Sequence, residues 1–156
     1  ATPWAVDKVL YDFGFAMGIY EMQDMAGLDI AFLNREAARQ RGEAIPEGPI
    51  ELLVRAGRKG IKTGGGWYDY APGDRTPRVS DEATQILAPL MGNSAALSSP
   101  QIVDQLIGAM AEEGRAILAE GIAASPADID LVQVHGYGFP RTRRGPMFQT
   151  DRKAKP

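Results

Sequence analysis

The chain has 156 residues, 44% of them hydrophobic and 24% charged, with a net charge of −3, which is the balance of a folded globular chain rather than a disordered one. It contains no cysteine and a single histidine, His135, so disulfides, thiolate chemistry and His-clustered metal sites are excluded. The acidic balance gives no support to bulk binding of nucleic acid, and no apolar run approaches the roughly 18 residues needed to span a membrane.

Helical signals dominate from the start. Thr2-Pro3 is a hydroxyl cap with proline in the first turn, opening a short helix. Leu28–Arg41 reads as an amphipathic helix ended by Gly42, and Gly48-Pro49 opens a shorter one through Arg55. Trp67–Tyr70 is the only strand-like run. Ser80 caps a helix through Met91, with Asp81 and Glu82 in its first turn. Ser99-Pro100 opens the long helix Gln101–Glu120, whose Ile102, Leu106, Ala109, Met110, Ile117 and Leu118 form one buried stripe before Gly121 ends it. The predicted fold class is all-α. Gly and Pro in Gly57–Gly66 and Ala71–Pro77 mark the boundary, giving residues 1–72, a linker 73–79, and residues 80–156.

An internal repeat is the most informative feature. Ala1-Thr2-Pro3-Trp4-Ala5-Val6-Asp7 matches Ala124-Ser125-Pro126-Ala127-Asp128-Ile129-Asp130 at a constant offset, and Gly14-Phe15 and Gly18 reappear as Gly138-Phe139 and Gly145. The second copy is longer by one residue before its Gly-Phe and by three after it. The long helix precedes the second copy, whereas the sequence opens directly on the first. The expectation is a first module without its lead helix, in a processed or truncated piece.

Few residues offer chemistry. The stretch Gly57–Gly66 holds glycines and lysines that could cradle a phosphate, but it lacks P-loop order and reads as a turn region; no Gly-x-Gly-x-x-Gly unit is present for a dinucleotide. Glu112, Glu113 and Glu120 read as a solvated helix face, and Asp24 and Asp29 as caps or turn acceptors. His135 falls in an expected turn after a helix. It reads as a structural residue or, functionally, as a donor to a carbonyl or phosphate of a ligand. The tail from Phe139 carries +5 against −8 for the rest, which serves a surface or an anionic ligand and lacks the aromatic interleaving of a nucleic-acid platform.

The segments Gly14–Asp29, Gly60–Tyr70, His135–Arg141 and Arg144–Phe148 together resemble the C-terminal domain of L-3-hydroxyacyl-CoA dehydrogenases, in the tandem form found in multifunctional fatty-acid β-oxidation enzymes. Ile19 stands where that family has Pro, and Arg144 where it has the first Gly of a pair. The resemblance implies tandem all-α bundles of the 6-phosphogluconate dehydrogenase C-terminal-like type. It also implies a parent enzyme whose separate N-terminal domain binds NAD and carries a catalytic His–Glu pair, with an enoyl-CoA hydratase domain as further partner. This chain would hold no catalytic residue, metal or cofactor of its own. Met17, Gly18 and Tyr20 would line the acyl path, and His135 would touch the acyl-CoA substrate. Cytoplasmic location, or peroxisomal in a eukaryote, and a possible homo-oligomer follow from the same resemblance. A non-catalytic helical docking module that kept the scaffold is the competing reading. The intact mass of the cellular polypeptide tests the expectation: a much larger parent with a glycine-rich strand-turn-helix upstream is expected.

Overall fold

The computed structural model describes residues 1–92 and 97–154, and Lys155 of the basic tail lies outside them. Thr2 Oγ1 accepts the Ala5 N–H (3.3 Å) and starts helix α1 (Pro3–Phe13). The glycine turn at 14–18 leads to α2 (Ile19–Ala26), and Gly27 alone separates it from α3 (Leu28–Gln40). Helix α4 (Pro49–Arg55) starts on Gly48, as its Gly-Pro signal predicts. A 3-10 turn (Ile61–Thr63) follows, then strand β1 (Tyr68–Asp69), paired antiparallel with β2 (Arg78–Val79). Ser80 Oγ accepts the Ala83 N–H (3.2 Å) and opens α5 (Asp81–Leu87). Pro89 removes the next helical hydrogen bond, so this helix ends in a 3-10 turn short of the expected Met91. Helix α6 (Ser99–Ala119) is capped from Ser98, one residue before the expected cap, with the Ser98 N–H on Gln101 Oε1 (2.9 Å). Helix α7 (Pro126–Gly136), a 3-10 turn (Arg141–Arg143) and α8 (Pro146–Ala154) complete the described chain. The fold is all-α, as expected from the sequence; α2 and α8 were not among the expected helices.

Compactness divides the chain into residues 1–7 with 18–96 and residues 8–17 with 97–156, with α1 shared. In the first unit α5 buries Ala83 and Leu87 in a core with Leu28, Leu53, Trp67, Tyr68 and Tyr70. Burying a leucine such as Leu87 of α5 contributes about 1.5–3 kcal/mol, which ties α5 to this core. In the second unit Ala111 and Gly114 of α6 receive Ile129 of α7 and Met147 of α8, so closely that a Cβ at 114 would overlap the Met147 sulfur. The two Gly-Phe turns of the repeat meet inside this unit: Phe15 and Phe139 pack edge-on (5.4 Å), each with Phe13 at 5.9 Å. That cluster explains why residues 8–17 join the second unit.

The repeat is carried by one device used twice. In the first copy Asp7, at the middle of α1, accepts the N–H groups of Tyr20 and Glu21 (both 3.0 Å) at the start of α2. In the second, Asp130 of α7 accepts those of Met147 (2.9 Å) and Phe148 (3.0 Å) at the start of α8. Each carboxylate thus satisfies two of the donors that a helix N-terminus leaves unpaired. The glycines before these helices, Gly18 and Gly145, lie so close to the two Asp side chains that a Cβ would overlap them.

The copies differ in what else the aspartate holds. Asp7 is buried and also accepts the Tyr68 hydroxyl (2.9 Å), whereas Asp130 is only half-buried. Asp130→Ala is expected to cost about 1–2 kcal/mol in urea unfolding, and Asp7→Ala about 3 kcal/mol because it also strands a buried hydroxyl. Equal costs would contradict this. Arg144 has φ +70°, the left-handed conformation for which glycine is suited. Arg144→Gly should remain within about 1 kcal/mol of the parent protein, while Gly145→Ala, at φ +133° and against Asp130, should cost about 3 kcal/mol or more in the same assay.

Candidate functional site

In the second unit, α7, the 3-10 turn and the start of α8 line a shallow, solvent-open cleft of about 420 Å³. Ala127, Leu131, Val134 and Phe148 give it an apolar lining; His135, Arg141 and Arg144 stand around it with Asp130. Helix α7 runs to Gly136, so His135 sits in its last turn and not in a turn after it, as the sequence reading had it. The helical hydrogen bonding continues past it, for the Tyr137 N–H still reaches the Gln133 carbonyl (3.2 Å). The Arg144 guanidinium lies over the Phe148 ring at 4.8 Å. Burial pushes the Asp130 carboxyl up, and the Met147 and Phe148 N–H groups draw it down; the upward shift prevails.

Tyr20 lines a different cleft, of about 250 Å³, with Gln23, Ile50 and Trp67 on one part and Arg35 and Glu51 on another. Its ring meets Trp67 edge-on (4.6 Å), and Trp67 Nε1–H donates to Gln23 Oε1 (2.9 Å). Gly18 serves the close approach of Asp7, and Met17 lines neither cleft. The four residues expected at the ligand therefore divide: His135 and Tyr20 line separate clefts, and Gly18 shapes a helix start.

The glycine-rich segment is occupied by its own structure. The Gly60 N–H donates to the Gly65 carbonyl (2.8 Å) and the Gly66 N–H to that of Tyr68 (2.9 Å), while Lys62 is paired with Asp29 (2.5 and 2.6 Å). Asp24, 1% exposed, organises the stretch: it accepts the N–H groups of Trp67 (2.9 Å) and Tyr68 (3.0 Å) and the Tyr70 hydroxyl (3.1 Å). Asp24 is thus a long-range acceptor inside α2, with partners 43 to 46 residues along the chain, and not the local cap or turn acceptor expected beside Gly27. Arg58 binds the other side, donating to the carbonyls of Gly66 (2.9 Å) and Tyr68 (3.1 Å) and pairing with Asp69 (2.6 Å) and Glu82 (2.7 Å). This loop is a scaffold and leaves little of its backbone for an anion. Glu112, Glu113 and Glu120 are exposed, as a solvated face should be.

Sequence reasoning missed Glu51. Its carboxylate is fully buried, paired with Arg35 and Arg39 (2.6 Å each) and accepting the Gly48 N–H (2.9 Å). The signal available was Glu three residues after a helix-starting Gly, the spacing at which a side chain reaches back to the cap.

Residues 1–70 match the family model described as 3-hydroxyacyl-CoA dehydrogenase, C-terminal domain. Over 95% of its length the chain is 37% identical to the peroxisomal bifunctional enzyme of Danio rerio, and over 94% it is 29% identical to the fatty acid oxidation complex subunit alpha of Acinetobacter baylyi. It spans 23% and 22% of those proteins. The dehydrogenase part of multifunctional enzyme 1 from C. elegans shares the fold, with a TM-score of 0.65 at 22% identity over 95% of this chain and 31% of that one. Residues 1–70 therefore resemble the C-terminal domain of the 3-hydroxyacyl-CoA dehydrogenases, and the curated relatives that the chain matches along most of its length are named as bifunctional or multifunctional enzymes of fatty-acid oxidation. Among the described residues no helix is long and apolar enough to cross a membrane.

The buried acids give opposite pH signatures. Burial pushes the Glu51 carboxyl up, but the Arg35 and Arg39 guanidiniums overcome this and hold it at about 2, below its ordinary value of 4.5. A depressed folded-state value contributes stability above pH 4.5 that is lost as pH falls towards 2. Asp7 and Asp24 are raised above 3.8 by burial, despite the hydrogen bonds they accept, so their contribution is present below 3.8 and is lost as pH rises through their folded values. Glu51→Gln is expected to cost about 3 kcal/mol at pH 7, with a difference from the parent that shrinks towards pH 2. A difference constant with pH in urea unfolding would contradict the ion-pair account.

Proposed function

We propose that this chain is the substrate-side, C-terminal part of an NAD-dependent L-3-hydroxyacyl-CoA dehydrogenase of the multifunctional β-oxidation type. Similarity along nearly the whole chain to such enzymes, beyond the 70 residues of the family model, is the observation that carries this reading. The reaction is hydride transfer from C3 of an L-3-hydroxyacyl-CoA to NAD, with a histidine base taking the hydroxyl proton. The described residues offer no strand–glycine turn–helix unit on which a dinucleotide could sit, so no step through NAD is assigned to them. The NAD-binding dehydrogenase domain, with its His–Glu pair, and an enoyl-CoA hydratase domain are the proposed partners within one parent polypeptide. The setting is the peroxisome in a eukaryote and the cytoplasm in a bacterium.

In this arrangement the chain's residues position and enclose substrate. Asp7 fixes the turn at 14–18 and the start of α2, holding Met17, Gly18 and Tyr20 along the acyl path. Residues 73–79 would join two repeat copies, 1–72 and 80–156. His135 contacts the acyl-CoA. In the complete enzyme, His135→Ala should raise KM for the 3-hydroxyacyl-CoA by more than it lowers kcat, the mark of lost binding rather than lost chemistry. An unchanged KM would overturn the contact.

A docking role is the second reading. It is favoured by Met22 and Met25 on α2 and Ile30 and Leu33 on α3, all at least half exposed in the first unit. If the chain binds the dehydrogenase domain but variants of Tyr20 and His135 leave both KM and kcat untouched, docking is its function and substrate binding is not.

A further inference from the structure

Helix α7 is apolar on more than the side it packs. Ile129 is buried in the core of the second unit, while Leu131 and Val132 on the outer side of the helix are 57% and 56% exposed. A helix that is hydrophobic all round normally has a neighbour on every side. The equivalent helix of the first copy shows the contrast. Helices α1 and α7 are each 11 residues long and start on equivalent prolines, so Trp4, Lys8, Val9 and Asp12 correspond to Ala127, Leu131, Val132 and His135. In α1, Lys8 and Asp12 form an exposed ion pair (2.7 Å), and Val9 is only 6% exposed. In α7 the ion pair is absent, the valine is bare, and alanine replaces the indole of Trp4.

The bare residues of α7 form one stripe. Asp128, Leu131, Val132 and His135 stand at the i, i+3, i+4 and i+7 spacing of a single helix face, and all four are exposed. Leu131 and Val132 occupy the middle, with Asp128 three residues before them and His135 three residues after. Arg141 lines the same cleft as His135. Among the described residues neither His135 nor Arg141 has a side-chain hydrogen bond or ion pair. Asp128 takes the Ser125 hydroxyl on Oδ2 (2.8 Å), and its Oδ1 has no such partner.

This order complements itself across a twofold axis. With the axis between Leu131 and Val132, a second α7 runs antiparallel to the first, the two apolar pairs meet, and each acid reaches the other helix's cationic end. Antiparallel helices also oppose their dipoles favourably, with each acid at an N-terminus. A parallel pair would set Asp128 against Asp128.

We propose that this chain associates with a second copy of itself through the outer face of α7, Leu131 and Val132 lying at the axis and Asp128 meeting the other copy's His135 and Arg141. The inference is independent of the β-oxidation reading, since it rests on exposure and charge order alone. An 11-residue helix is only about 16 Å long, so the contact is smaller than a standard interface and the expected dissociation constant is on the order of 100 μM.

Sedimentation equilibrium of the full chain from about 10 μM to 1 mM tests it, and a reversible monomer–dimer equilibrium is expected. Leu131→Asp and Val132→Lys, both at exposed positions, should each raise the dissociation constant about tenfold or more, because each change enters the interface twice. Ile30→Asp, on the exposed apolar face of α3, should leave it unchanged. Asp128→Lys should weaken the dimer, and adding His135→Glu should restore it. Residues 128 and 135 lie two turns apart within one helix, so such a rescue comes from the second copy. Circular dichroism melts show which variants are folded, and Val132→Lys carries the test should Leu131→Asp unfold. A chain that stays monomeric overturns the proposal, as does a dimer that survives both Leu131→Asp and Val132→Lys. A dimer dissolved by Ile30→Asp, growth beyond the dimer, or a folded double variant no tighter than Asp128→Lys overturns it too. An unchanged KM in His135→Ala would strike the substrate contact proposed above and leave this interface standing.

Discussion

An aspartate in the middle of one helix accepts two backbone N–H groups at the start of the next, and this happens in both copies. Helices α2 and α8 have 8 and 9 residues, too short to hold together alone in water, where roughly 12–15 residues are marginal. Neither Gly18 nor Gly145 has a side chain with which to cap the helix that follows it. The cap comes instead from Asp7 and Asp130, 13 and 17 residues away from the first N–H each accepts. The arrangement fixes the angle between the two helices and demands glycine at the close approach. In the first copy it also joins Asp7 to Tyr68, and so connects the helix pair to the loop that Asp24 organises.

Buried charge does the remaining positioning in the first unit. Glu51 joins α4 to α3 through two arginines, and Arg58 gathers two loop carbonyls and two acids. Such groups add less net stability than their geometry suggests, because desolvation opposes the attraction, but removing one partner leaves an uncompensated charge. They act as orientation devices. The glycine-rich segment that looked able to cradle an anion is consumed by this network, which is the physical reason that a phosphate-site reading fails there.

Divergence between the copies separates scaffold from candidate function. The caps, the aspartates and the glycines are shared; the faces around them are not. One copy presents an ion pair and an indole, the other an open apolar cleft beside unpaired cations. Shared residues answer to folding, which is the same task in each copy, and the differing ones are free to answer to a ligand or a partner.

The sequence by itself determined the helices with strong punctuation, the all-α class and the repeat, because caps, prolines and glycines act locally and are visible at fixed spacing. It also showed Asp7 and Asp130 as equivalent. It could not show what they hold, since Tyr20 and Met147 lie a full turn segment away and nothing in the local pattern marks their N–H groups as needing a distant acceptor. Helices α2 and α8 went unrecognised for that reason: their caps come from elsewhere in the chain. Tertiary structure alone decided that α5 packs with the first unit, that residues 8–17 pack with the second, and that His135 lies beside Arg141, Arg144 and Phe148. Each of these depends on which apolar surfaces are buried together, and burial is a property of the folded whole.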